Sequence, residues 1–243
     1  MNREPYNFPL FPHLPERSNK GNHRYSQRPE WVTKLLECPD LPNRLLAAAE
    51  SAQFCLRDQV IVRLVCDSGA RPTEVIQLSI GEWRTRGCQQ QILIASQSRR
   101  DQGAKILHFH PVTAKLLFSY INGERKQYDL QHRELKLLED TDPLFLSKHQ
   151  RGYTYKAFLP HWRQLCQVAG FSFPLRGLRT WYVLQQLRII HERRSNFTEL
   201  DHLKDNLVKY MGWSSSRPLH EYEHYVRMKQ DEEVMFQVLD MWK

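Results

Sequence analysis

The sequence predicts a mostly α, α+β fold with one small antiparallel sheet. Three observations lead there. From Trp31 onward, apolar residues recur at helical spacing through segments separated by short polar loops. The period shortens to two only in QQILIASQS and AKILHFHP, which flank the polar turn RRDQG and read as a hairpin. A chain of 243 residues that is 41% hydrophobic can also bury one sizeable core.

In chain order, residues 1–29 carry Pro5, Pro9, Pro12, Pro15 and Pro29 among Arg3, Arg17, Lys20, Arg24 and Arg28, with little periodicity. They are expected to form a basic, disordered arm. WVTKLLE and NRLLAAAESA are expected as helices, followed by LRDQVIVRLVCDSG, where Val60, Ile61, Leu64 and Val65 share helical spacing and Ser68-Gly69 ends the run. PTEVIQLS reads as a helix opened by Pro72, with Val75, Ile76 and Leu78 facing a core. After the hairpin come a helix at TAKLLFSYI, a charged surface stretch from Gly123 to Asp142, and a helix at YKAFLPHWRQLCQVAG. Three more helices are expected, at about 178–193, around LDHLKDNLVKYMG, and from Pro218 to the C-terminus.

Composition narrows the function classes. Lys plus Arg outnumber Asp plus Glu by 35 to 27, a formal charge of +8, which suits a polyanionic partner. The five cysteines (Cys38, Cys55, Cys66, Cys88, Cys166) are odd in number, widely spaced and free of C-x-x-C pairs, which argues against a disulfide framework or a zinc ribbon. No segment has the apolar length of a membrane span, and the N-terminus lacks the charged start and apolar run of an export signal. The expected location is the cytoplasm, in association with the nucleoid.

Two arginine-bearing stretches concentrate the chemistry. In PLRGLRTW, Arg176 and Arg179 stand three positions apart, so on one helix face they repel unless an anion lies between them. In SGARPTEVIQLS, Arg71 sits at a loop-to-helix junction with Glu74 three residues on, where a forked donor suits phosphate. A solvated basic face or an ordinary capped helix is the plain alternative for either stretch alone.

Taken in order, these stretches resemble the boxes of the tyrosine recombinase (phage integrase) family. SGARPTEVIQLS is similar to its first arginine box, a Gly-x-Arg-x-x-Glu pattern opening a helix. LRGLRTW falls where the family carries His-x-x-Arg, and MGWSSS where it carries Gly-His or Gly-Trp. Tyr222 follows Trp213 by nine residues, the family spacing to the nucleophile, and PLFLS with the Trp-containing helix ending in Ala169-Gly170 resembles the family's middle. The resemblance implies that residues 30–243 form one catalytic domain.

It also implies a set of roles. Tyr222 would attack the scissile phosphate of double-stranded DNA, leaving a 3′-phosphotyrosyl link and a free 5′-hydroxyl, with Arg71, Arg176 and Arg179 as the phosphate clamp and Trp213 as a neighbouring N–H donor. Tyrosine has a free pKa near ~10, so it needs such positive surroundings. Tyr222, followed by Glu223 and His224, fits the family's Tyr-x-His pattern better than Tyr210 or Tyr225 do. The leaving oxygen needs a proton, which the family takes from a hairpin lysine; here Lys105 ranks first and Arg99, with Arg100 beside it at the turn, second. Bond energy is conserved, so no cofactor or metal is implied. Recombination between two sites would require a dimer or tetramer on DNA, and the tail VMFQVLDMW would pack on a neighbouring subunit or on its own core.

The chain departs from the family in two places. Arg176 stands where histidine is usual, and arginine cannot accept the tyrosine proton. Only about 50 residues precede the catalytic part, little room for the family's separate core-binding domain. Both leave open a catalytically impaired, DNA-binding version of the fold. A more remote alternative is HEYEH, residues 220–224, which matches the His-Glu-x-x-His zinc metalloprotease signature with His220 and His224 as ligands and Glu221 as base. It lacks a third ligand at the usual places. His108 and His110, alternating on a strand, read as strand-face residues.

Overall fold

The computed structural model describes residues 30–86, 90–95, 104–192 and 197–240. The basic arm 1–29 and the hairpin turn with Arg99 and Arg100 lie outside the described residues. The helix spanning Leu56–Ser68 is buried over most of its circumference, polar residues such as Arg57, Asp58 and Arg63 included, and the fold is built round it. Val60, Ile61, Leu64 and Val65 are each fully buried. This helix is α3; α1 (Glu30–Leu36) and α2 (Leu41–Ser51) precede it. After it come α4 (Pro72–Ile76), α5 (Ile80–Arg84), strands β1 (Gln91–Ala95) and β2 (Ala104–His108), and α6 (Pro111–Tyr120). A π-helical turn (Ile121–Arg125) leads into the short α7 (Lys126–Tyr128), and α8 (Tyr155–Val168), α9 (Gly177–Glu192), α10 (Phe197–Tyr210) and α11 (Arg217–Asp240) complete the chain. α3 packs on α2, α4, α6 and α9, while α9 also meets α1, α10 and α11. The architecture is mostly helical with one two-stranded antiparallel sheet, as the sequence predicts.

The sheet register decides where one side chain goes. Ile92 pairs with Leu107, and Ile94 with Lys105. Directly paired residues share a sheet face, and so do residues two apart. Ile92, Ile94 and Leu107 are buried, so Lys105 lies on the same inward face as these three.

Two regions differ from expectation. The charged stretch 123–142 is not all surface: Arg125 is 1% exposed and donates to the carbonyls of Pro143 (2.8 Å) and Leu144 (3.1 Å). Buried Asp129 pairs with Arg133 at 2.8 Å and lies 3.8 Å from Arg125, a buried charge that composition alone does not reveal. α5 was not expected. Its signal is the capping box of Ser79 and Glu82, in which Ser79 Oγ accepts from the Glu82 amide and the Glu82 carboxylate accepts from the Ser79 amide.

Candidate active site

The end of α3 sets the position of the first arginine. Gly69 caps the helix with φ of 59°, and a Cβ there would lie 2.3 Å from the ring of Tyr182 on α9. Only glycine meets both demands, so α3 and α9 approach closely at this point. Two residues on, Arg71 precedes α4; its amide and guanidinium both bond the Glu74 carboxylate, at 2.7 and 2.6 Å. Glu74 is buried while the Arg71 side chain stays 42% exposed, so the guanidinium is steered yet accessible.

Arg179, in the first turn of α9, reaches across this junction. One of its nitrogens donates to the Gly69 carbonyl and another to that of Met211 just beyond α10, each at 2.7 Å. Burial, and then the Arg71 charge, lower its pKa to about 10. Burial is the larger cause, and the Arg71 charge adds a repulsion that Glu74 opposes.

Lys105 adds a third cation. Its ammonium is buried and has no hydrogen-bond partner among the described residues; it lies 4.7 Å from the centre of the Tyr210 ring. Burial lowers its pKa to about 8, and the charges of Arg179 and Arg71 act in the same direction. Arg71, Arg179 and Lys105 thus interact as a group of three cations facing one carboxylate, Glu74. An unpaired buried cation is costly unless an anion completes it.

Tyr222 stands at the edge of the cluster. Its ring stacks on Trp213 (centroids 6.0 Å apart, planes 13° apart), its hydroxyl lies 3.5 Å from Thr180 Oγ1, and the Arg179 guanidinium lies 5.9 Å from the Trp213 ring. Arg179 and Tyr222 act on each other electrostatically. Tyr210, by contrast, is committed: its hydroxyl donates to the Ser68 carbonyl at 2.8 Å, and burial raises its pKa. Tyr225 is half-buried against the core.

The structure therefore brings together Arg71, Arg179, Lys105, Trp213 and Tyr222. Arg176 does not join them. It precedes the first residue of α9, is exposed, and makes no side-chain hydrogen bond or ion pair among the described residues. It lines a separate cleft of about 750 Å³ with α8 residues including Trp162 and Arg163. Arg176 and Arg179 thus part at the helix start, one outward and one inward. Thr180 and Tyr182 were not read from the sequence, whereas Glu74 as a holder of the Arg71 guanidinium is one of the two readings its spacing allows.

The His-Glu-x-x-His match leads elsewhere. His220 Nδ1 pairs with Glu223 at 3.1 Å, and no third ligating side chain joins His220 and His224 among the described residues. A different trio, Cys55, Asp58 and His161, does come together, but the Asp58 carboxylate is bonded by Arg57 at 3.0 Å.

The helical body, the two-stranded sheet and the order of these elements make up the catalytic-domain fold of the tyrosine recombinases. The crystal structure of XerA recombinase matches with a TM-score of 0.57 at 20% identity, over 80% of this chain and 63% of that one. XerH site-specific recombinase bound to the palindromic difH substrate, a post-cleavage complex, matches with a TM-score of 0.58 at 14% identity, over 83% of this chain and 51% of that one. The pre-cleavage complex of XerH gives 0.55 at 15% identity. The chain thus spans about half to just under two thirds of the length of these proteins. No family model matches the sequence, and no curated protein matches it.

Proposed function

We propose that the protein is a site-specific DNA recombinase or integrase that cleaves and rejoins DNA strands through a 3′-phosphotyrosyl intermediate. The observation that carries the reading is the convergence of three under-compensated cations, one of them a buried lysine without a hydrogen-bond partner among the described residues, with Tyr222 in electrostatic range of one of them, Arg179. A phosphodiester has one negative charge and gains more in its transition state. Cations already fixed in place stabilise that charge without reorganising.

In this reading the Tyr222 oxygen attacks phosphorus and the bond to the 5′-oxygen breaks. Lys105, with a pKa near 8, holds a proton at neutral pH and releases it to the departing oxygen. Arginine at 99 would serve this step poorly because it keeps its proton. The tyrosine proton passes to water, since Arg176 cannot accept it. Arg71 and Arg179 hold the two non-bridging oxygens, and Arg176 contributes charge toward the DNA backbone from outside the cluster. Attack by a 5′-hydroxyl of a partner strand reverses the step. The two-site reaction assigns the protein a dimer or tetramer on duplex DNA, with the nucleoid as its place of work.

The experiment is incubation with a pool of nicked duplexes of varied sequence, in which cleavage releases a short strand and traps the product. The expected result is a covalent protein–DNA adduct that is lost in Tyr222→Phe and kept in Tyr225→Phe. Tight DNA binding with no adduct from any member of the pool would instead assign a non-catalytic DNA-binding protein on the same fold.

A further inference from the structure

The inner stripe of α11 contains a residue that its packing does not call for. Leu219 and Val226 are buried at 2% exposure each, and between them, at the i+4 position from Leu219, stands Glu223, itself 5% exposed. An apolar residue is the ordinary occupant of such a position. The carboxylate instead meets three partners: Lys204 Nζ of α10 at 2.6 Å, His191 Nε2 of α9 at 4.0 Å, and His220 Nδ1 of its own helix at 3.1 Å. Burial opposes its charge, but hydrogen bonds from Lys204 and His220 together with the charges of Lys204 and Arg227 outweigh it and hold its pKa below the ordinary carboxylate range.

The three helices that meet around Glu223 also carry the candidate active site. α9 holds Arg179 and Thr180, the chain leaving α10 holds Met211 and Trp213, and α11 holds Tyr222. Tyr222 and Glu223 are adjacent, so their side chains point about 100° apart round the helix. An apolar stripe alone tolerates small rotations and slides of a helix. A buried ion pair does not, because a small shift leaves charges unpaired, and its best-attested use is to fix register rather than to add stability.

We infer that Glu223 is a positioning residue: its carboxylate, ion-paired with Lys204 of α10 and 4.0 Å from His191 of α9, sets the rotation and height of α11 and so places Tyr222 within electrostatic range of Arg179. The inference rests on Tyr222 being the nucleophile. Reaction by in-line attack is sensitive to displacements of about 1 Å, so loss of the lock costs rate more than it costs folding.

The test compares Glu223→Gln, which keeps the shape and removes the charge, with the double variant Glu223→Leu/Lys204→Met, which replaces the ion pair by apolar packing. For each, thermal melting, duplex affinity and the rate of adduct formation on the nicked pool are measured. The expected result for the double variant is a melting temperature equal to or above that of the unsubstituted chain and affinity within about twofold. Its adduct rate is expected to fall at least tenfold. Glu223→Gln is expected to show the same rate loss with some loss of stability. Adduct formation at the unsubstituted rate in both variants overturns the inference. If the unsubstituted chain forms no adduct, or Tyr222→Phe still forms one, the nucleophile assignment has failed instead.

Discussion

Lys105 shows how a single buried charge can motivate a functional proposal. It occupies an inward strand position that Ile92, Ile94 and Leu107 otherwise fill with apolar groups. Burial, and then the charge of Arg179, disfavours its charged form, so its folded pKa of about 8 lies below the ~10.4 of an unfolded lysine. Between these two values the unfolded chain binds more protons than the folded one. Lys105 therefore makes the DNA-free protein gain stability as pH rises through about 8 toward 10.4, and the gain disappears in Lys105→Met. Melting curves across pH 7–10 measure this. For catalysis the sign reverses: the acid form is lost above the pKa, which a bound phosphate moves up from about 8, so cleavage falls at high pH. Lys105→Ala is expected to slow cleavage by about 10²–10⁴-fold, with recovery on a substrate whose leaving group is a 5′-sulfur that needs no proton. Equal loss on both substrates would remove the proton-donor role. Arg176, exposed and without a side-chain partner among the described residues, is the opposite case; Arg176→His is expected to leave the rate of adduct formation unchanged or lower.

At the scale of elements, the joint between α3 and α9 holds the arginines at their spacing. Gly69→Ala demands a left-handed backbone from a residue with a Cβ and drives that carbon into the Tyr182 ring. A loss of more than about 1 kcal/mol in unfolding free energy is expected, along with a larger loss of cleavage, because Arg179 bonds the Gly69 carbonyl. Denaturant unfolding and adduct kinetics on one variant check both. The elements themselves were largely legible in the sequence: α3 through its apolar period, its end through Ser68-Gly69, the hairpin through its change of period. α5 was missed because its run is a single turn, too short for periodicity, although its capping box was present. Arg125 was missed because a buried guanidinium satisfied by main-chain carbonyls looks the same in sequence as an exposed one. The gathering of Arg71, Lys105, Arg179, Trp213 and Tyr222 was legible only through their order along the chain. Their separate helix and strand patterns say nothing of which ends meet. Glu223 stayed hidden for a related reason, since a glutamate on an amphipathic helix reads as solvated.

For the whole molecule, the formal charge of +8 predicts binding to duplex DNA that weakens steeply with salt. A plot of log affinity against log salt should be linear, falling by roughly 0.9 per phosphate neutralised, and Arg176→Ala should reduce the slope by about one phosphate. A slope near zero would exclude backbone contacts as the source of affinity. Among the described residues no helix is long and apolar enough to cross a membrane. The central claim, though, is a covalent one and is tested by a covalent product. The adduct trapped on nicked DNA can be digested with protease and nuclease and its linked peptide identified by mass spectrometry. The account predicts a nucleotide 3′-phosphate attached to Tyr222 within the peptide LHEYEHYVR. Attachment to Tyr225, Tyr210 or any serine would contradict it.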